Sequence, residues 1–303
     1  MRDWRKIAAS QAGLITRAQL EVVGVRRWTV SHRVQTERWQ QLTPTVVTTT
    51  TGALTREQLL WLGVLHAGDG SLLGGLTAAE RLGLRNWQRD DVTVLVPYGR
   101  GLPSHVDGIR FVRSRRDLEP MRLRTIRPAC CRLEPAVLMF AAADRSERTA
   151  QGVLAAVVQQ RLSTPELLAQ WVGRLAPLRR TKLIERTLAD IAGGAQSLAE
   201  IDIGRMCGSF GLVPPRRQVR RRDAHGRFRF TDCEWVLADG RTLVLEVDGA
   251  FHMEVGHWEE DIARQRGLTD PRRLVVRCTS RELRDEPDQV ASDLLALGVP
   301  RAA

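Results

Sequence analysis

The chain has 303 residues, 43% hydrophobic and 27% charged; that is long enough for two or three domains with real cores, and it excludes an intrinsically disordered chain. Lys and Arg (46) outnumber Asp and Glu (35) to give a net charge of +11, almost all of it arginine, since Lys6 and Lys182 are the only lysines. Arginine suits planar, bidentate contact with phosphate and guanine, so a polyanionic partner is favoured, although charge alone does not choose between DNA, RNA and a merely soluble surface. No run of about 18 apolar residues occurs, which excludes a membrane-spanning helix. The opening Met1–Lys6 stretch lacks a following apolar segment, so no secretory signal and a cytoplasmic location are expected.

Residues 1–51 read as three helices followed by a short ribbon. Trp4, Ile7 and Ala8 share one face of the first helix. Thr16 and Gln19 have capping-box spacing for a second helix through Leu20 and Val23, and Gly24-Val25 supplies a tight turn. A third helix is expected from Arg27 to about Arg38, with Val30 and Val34 inward and Arg26, Arg27, His32 and Arg33 outward. Trp39 to Thr51, rich in Thr and Val and broken by Pro44, suits two short strands. This is the layout of a winged helix-turn-helix, whose third helix would lie against the major groove of DNA; a three-helix cap with a solvated basic face is the alternative.

Residues 52–192 read as an α+β connector. A helix from Arg56 to His66 is followed by Gly-rich loops at Gly68-Asp69-Gly70 and Gly74-Gly75, strands at Val92–Val96 and Ile109–Val112, and helices over Pro135–Ala143, Glu147–Arg161, Pro165–Arg174 and Leu178 to about Ile191. Ser163-Thr164-Pro165-Glu166 reads as a cap, a first-turn proline and an acidic first turn. His66 and His105 lack partners at ligand spacing and read as surface histidines. Gly99-Arg100-Gly101 lacks the remaining glycine and lysine of a phosphate loop. The cysteines (Cys130, Cys131, Cys207, Cys233 and Cys278) are odd in number and form no C-x-x-C pair, so they read as reduced, buried thiols. The adjacent Cys130 and Cys131 suggest redox chemistry, but neighbours in an extended segment point apart.

Residues 193–303 read as an α/β domain and carry the candidate chemistry. Ser197 can cap a helix in which Glu200 is the third residue, so Glu200 has an ordinary capping role available. After Pro214-Pro215, a basic arm gathers Arg216, Arg217, Arg220, Arg221, Arg222, Arg227 and Arg229, where substrate phosphate would need neutralising; a solvated charged face is the alternative. The strand Phe228–Val236 alternates, with Phe228, Phe230, Asp232 and Glu234 on one side. A three-residue loop with Gly240 in the left-handed conformation pairs Leu237 with Arg241 and sets Asp232 opposite Glu246; a two-residue turn would dismantle that pairing. Asp232, Glu246 and Asp248, at the end of the apolar run Leu243-Val244-Leu245, are expensive without a cation. Oxygen ligands of this kind suit Mg²⁺ or Mn²⁺, which can neutralise a phosphodiester and activate water. An acidic strand end without an ion is the alternative.

Ser197-Leu198-Ala199-Glu200, Pro215 with Gln218, Asp232, the string EVDGAFH from Glu246 to His252, Asp261 with Arg264 and Leu268, and Val275–Cys278 together resemble a domain of unknown function. That domain is related to the very-short-patch-repair endonucleases of the PD-(D/E)XK superfamily. The first two segments, through AGLITRAQL (Ala12–Leu20), Gly24-Val25 and Arg38-Trp39, resemble AbiEi-type antitoxins and transcriptional regulators. The resemblance implies a restriction-endonuclease-like fold in which Asp232 is the central metal ligand, Glu246 the second acid, and Glu200 a residue that orients water or the site. The superfamily's lysine is replaced by Asp248, which makes His252 the general-base candidate, with Asp248 a ligand or the group that orients it. Gln218, Asp261 and Arg264 would support the site, although Asp261 and Arg264 also suit an ordinary helical ion pair. Two functions follow as expectations: Mg²⁺-dependent cleavage of DNA, or a non-enzymatic, antitoxin-type repressor that binds DNA and a toxin protein.

Overall fold

The structure is a computed structural model that describes residues 3–193, 198–222, 226–248 and 271–302, with Leu198 and Asp248 described by their backbone alone. The protein is mixed α+β and divides into two compact units, one made of residues 1–153 and 160–181, the other of residues 154–159 and 182–303.

The first unit opens with α1 (Trp4–Ser10), β1 (Leu14–Thr16), α2 (Arg17–Val22), α3 (Arg27–Gln35), β2 (Gln40–Gln41) and β3 (Val46–Thr48). The Thr16–Gln19 capping box forms as its spacing predicts. Ala8, Ile15, Leu20, Val30, Trp39 and Val47 make the local core, with Trp4, Ile7, Val25 and Val34 packed against it. Leu14–Thr16 adds a third strand to the expected ribbon, in the order β1-β3-β2. Three residues carry no periodicity of their own, and pairing with β3 is what makes them a strand. The third helix stops at Gln35, short of Arg38, where the Thr36 hydroxyl donates back to the His32 carbonyl at 2.9 Å and Glu37 takes a left-handed φ of 54°.

The rest of this unit sets α4 (Arg56–Ala67), β4 (Leu72–Leu73), α5 (Gly75–Arg81), β5 (Val92–Pro97), β6 (Ile109–Ser114), β7 (Arg122–Leu123), β8 (Cys130–Cys131), α6 (Leu133–Ala143), the first part of α7 (Glu147–Gln159) and α8 (Pro165–Arg174) around a sheet of order β6-β5-β4-β8-β7. The Gly74-Gly75 segment, expected as a loop, instead starts α5. A Cβ on Gly74 would lie 2.4 Å from Leu95 Cγ, so glycine is what lets the helix begin against β5. Gln58, capping α4, donates to the Ala12 carbonyl at 3.2 Å and the Thr50 hydroxyl at 3.0 Å, binding this layer to the N-terminal segment.

The second unit contains most of α9 (Thr181–Ala192), then α10 (Leu198–Phe210), β9 (Arg216–Arg222), β10 (Phe228–Val236), β11 (Thr242–Asp248), β12 (Arg273–Thr279), α11 (Glu282–Asp285) and α12 (Pro287–Ala296). Its sheet has the order β12-β11-β10-β9, antiparallel across β9–β10 and β10–β11 and parallel across β11–β12. Cys233, Trp235, Leu243, Leu245 and Cys278 on one sheet face pack with Ile203, Met206 and Cys207 of α10 and with Val290, Ala291 and Leu294 of α12. Residues 300–302 pair with the lead-in to β9: the Val213 amide donates to the Pro300 carbonyl at 3.0 Å, and the Ala302 amide to the Gly211 carbonyl at 2.9 Å.

Candidate functional site

The hairpin between β10 and β11 decides whether the acids meet. Gly240 has φ +81°, the Leu237 amide donates to the Arg241 carbonyl at 2.8 Å, and the ladder runs from Val236 opposite Thr242 to Cys233 opposite Leu245. One step further, the Asp232 amide donates to Glu246 Oε1 at 3.4 Å and the Val247 amide donates to Asp232 Oδ2 at 2.9 Å. The three-residue loop therefore holds, and Asp232 and Glu246 face each other at the end of the strand pair, both half-buried.

Gln218 links these strands to α10. It lies in β9 with a left-handed φ of 49°, a conformation that a residue with a Cβ adopts at a cost of about 1–2 kcal/mol. The β9–β10 ladder is interrupted there: Val219 pairs with Thr231 and Arg217 with Cys233, but Gln218 and Asp232 do not pair between them. Gln218 Nε2 instead donates to Glu200 Oε1 at 2.9 Å. Glu200 is 2% exposed, so a donor from a neighbouring strand offsets part of the cost of burying it. Burial pushes the Cys233 thiol pKa up, and the negative charges of Glu200 and Asp232 push it further. Glu200, Gln218, Asp232 and Glu246 thus form one neighbourhood spanning α10 and three strands.

The interruption also changes which residues share a face. Phe228, Phe230, Asp232 and Glu234 were expected on one side, yet Phe228 and Phe230 are about half exposed while Glu234 is 2% exposed. Glu234 accepts from the Thr231 hydroxyl at 2.8 Å, a residue three positions back that a regular pleat would put on the opposite face. The Arg221 guanidinium grips the same carboxylate at 2.6–3.2 Å. Glu234 is thus a structural acid neutralised by its own cation, a role invisible to a strict two-residue alternation.

The arginines expected at DNA divide into two groups. On α3, Arg26, Arg27 and His32 are exposed, with Arg27 also paired to Glu21 at 2.9 Å. Arg33 is turned inward, its guanidinium stacked over Trp4 at 5.0 Å and Trp39 at 4.8 Å. On β9, Arg216, Arg220 and Arg222 are exposed, whereas Arg221 is committed to Glu234 and Arg217 lies against α10, within 2.7 Å of where a Cβ on Gly204 would sit. Outward availability is therefore corrected for Arg33, Arg217 and Arg221: the first is held by aromatic rings, the second by helix packing and the third by a buried carboxylate. Trp28, beside Arg27, is also exposed, at 66%.

Asp248 ends β11, paired in register with Thr279, and Glu246 pairs with Arg277 on the parallel neighbour. His252, Asp261 and Arg264 lie outside the described residues, as does Ser197. Among the described residues no group of three or more His, Cys, Asp or Glu side chains is placed to hold a metal ion, and no helix is long and apolar enough to cross a membrane. Compared with models of known protein families and with curated proteins, the chain matches none.

Elsewhere, all five cysteines are buried thiols outside any disulfide. Burial raises the thiol pKa of Cys130 to about 12 and of Cys207 to about 11, so neither is a nucleophile at neutral pH. His105 is exposed and paired with Asp107, while His66 is half-buried, bonded to Thr45 at 3.3 Å and Ser104 at 3.0 Å. The first unit holds a cleft of about 680 Å³ with Leu95, Phe140 and Leu178 inside and Arg110, Arg113 and Arg179 around it. Its lining has no His, no Cys and no paired carboxylates, so the candidate chemistry stays in the second unit.

Proposed function

We propose that the chain is a DNA-directed protein in which residues 193–303 form a divalent-metal-dependent, endonuclease-like domain and residues 1–51 form a winged helix that binds duplex. The observation carrying this reading is the meeting of Asp232 and Glu246 across β10 and β11, with buried Glu200 joined to the same neighbourhood through Gln218. Two carboxylates on adjacent strands suit Mg²⁺ or Mn²⁺, which need only one or two protein carboxylates and take substrate phosphate and water for the rest. Asp232 and Glu246 would hold the ion, with Asp248 as the further carboxylate candidate. A bound ion would supply charge neutralisation at the phosphodiester and a more acidic water. His252 is the group we assign to accept that water's proton.

The resemblance to very-short-patch-repair endonucleases points the same way, as do the helices and three-stranded sheet of residues 1–51, with Arg26, Arg27 and His32 exposed on α3. The replacement of the superfamily lysine by Asp248 favours a second reading, a repressor of antitoxin type that keeps the fold for binding DNA or a toxin protein. Incubating the full chain with supercoiled plasmid, and with mismatched and single-stranded DNA, in Mg²⁺, Mn²⁺ or chelator separates the two. Metal-dependent nicking that Asp232→Asn abolishes and Asp239→Asn retains is the expected result. If the parent nicks none of these substrates, the nuclease reading fails and the repressor reading stands.

A further inference from the structure

The geometry points to the β9–β10 ribbon as a platform on which single-stranded DNA stacks its bases, which makes unpaired DNA the substrate class of the neighbouring candidate nuclease site. This deepens the nuclease reading, and its binding part stands or falls without catalysis. Phe228 is 49% and Phe230 53% exposed, two positions apart on β10. Register sets Phe228 opposite Arg222 and Phe230 opposite Arg220, and both arginines are exposed. Their guanidinium carbons lie 3.6 Å (Arg220) and 4.6 Å (Arg222) from the Phe228 ring centroid. Rings and cations thus interleave on one surface of the ribbon.

Exposed phenylalanines are costly to keep in water, and charge complementarity indicates what covers them. Arg220 and Arg222, both exposed, stand beside the rings on the same face, so the occupant is anionic. An occupant that also presents flat apolar faces is a nucleic acid with bases available for stacking. Spacing then selects single strand over duplex. Rings two residues apart on a strand lie about 7 Å apart, twice the roughly 3.4 Å rise between stacked duplex bases. Successive bases reach both rings only when the strand is extended and unstacked. The guanidiniums over Phe228 do not block this, because an exposed cation–π contact is weaker than a base–aromatic stack. An arriving base displaces the arginine head, which moves on its flexible stem to the adjoining phosphate. Asp232 follows Phe230 by two residues along β10, at the interruption of the ladder, so the platform is the stretch of ribbon next to the candidate acids.

Anisotropy of a labelled oligothymidylate of about 20 nucleotides and of a duplex of the same length, titrated with the full chain in chelator, tests this. The parent should bind both, the duplex through residues 1–51 and the single strand through the platform. Phe228→Leu with Phe230→Leu keeps apolar bulk but removes the rings; it should weaken single-strand binding by at least about tenfold, given about 5- to 150-fold per lost stack, and leave duplex binding within about twofold. Arg220→Gln with Arg222→Gln should lower the salt slope for single strand by about 1.4, since each phosphate contact contributes about 0.7. Melting curves confirm that the variants fold. A parent that does not bind the single strand overturns the platform, as does a leucine variant that binds single strand like the parent. Nicking with an unaltered single-strand affinity in that variant removes the platform and keeps the nuclease. Stacking without nicking does the reverse.

Discussion

Asp232 and Glu234 are two residues apart on the same strand and have opposite environments. Glu234 is sealed from water, with a bidentate arginine and a hydroxyl on its oxygens. Asp232 is half-buried, and among the described residues it accepts only a backbone amide and has no ion pair. A carboxylate whose charge is already neutralised has little left to offer a ligand. One held by a neutral amide keeps its charge and can attract a cation. The neighbouring Arg221 makes the difference, and residue type alone does not separate the two acids.

The sharpest way to break the comparison is Arg221→Ala. Removing one partner of a buried pair leaves a charge sealed in the protein, at a cost of about 3 kcal/mol, the lower end of the usual range because Arg221 is 34% exposed. Denaturant unfolding should show this loss for Arg221→Ala and a change of less than about 0.5 kcal/mol for Asp232→Asn. Comparable losses for both would mean that Asp232 is structural too.

Gln218 gives a finer test. Gln218→Ala and Gln218→Gly both delete the bond to Glu200, but only glycine relieves the left-handed backbone. The glycine variant should therefore be the more stable of the two by about 1 kcal/mol. Equal stabilities would mean that residue 218 is not left-handed in solution.

The smallest effect lies in the first unit. Burial lowers the His66 pKa, against the opposing bond to Ser104. The unfolded chain therefore takes up a proton more readily than the folded one, so stability is whole above about pH 6.5 and declines as pH falls through that value toward the folded pKa. The effect is small because His66 is only half-buried. His66→Gln should flatten this part of the profile, and an identical slope in the variant would assign the decline to other groups.

Much of this was legible in the sequence where local chemistry has only one solution. Gly240 is the residue that tolerates positive φ in the hairpin, so the register followed, and with it the meeting of Asp232 and Glu246. Thr16 with Gln19 announced its own capping box. The two-residue strands β4, β7 and β8 were not legible, because tertiary pairing alone makes them strands. Nor was the inward turn of Arg33, Arg217 and Arg221, whose partners come from other elements. Glu234 was misplaced for a single reason: the alternation rule assumes an unbroken pleat, and Gln218 breaks it. The resemblance singled out Gln218, but only the folded strand explains how it reaches Glu200.

The pairing of residues 300–302 with residues 211–213 also bears on synthesis. β9, β10 and β11 follow one another along the chain at intervals of five residues and can pair as soon as they emerge from the ribosome. β12 comes only after residues 249–272 have been made, and residues 211–213 gain their partner only when residue 302 has been made. Until Val290, Ala291, Leu294 and Val299 have been added, the apolar row of Cys233, Trp235, Leu243 and Leu245 lacks part of its cover. The nascent second unit thus carries an open hydrophobic sheet face through the addition of its last strand and helix, the interval in which a folding chain is most exposed to association with its neighbours.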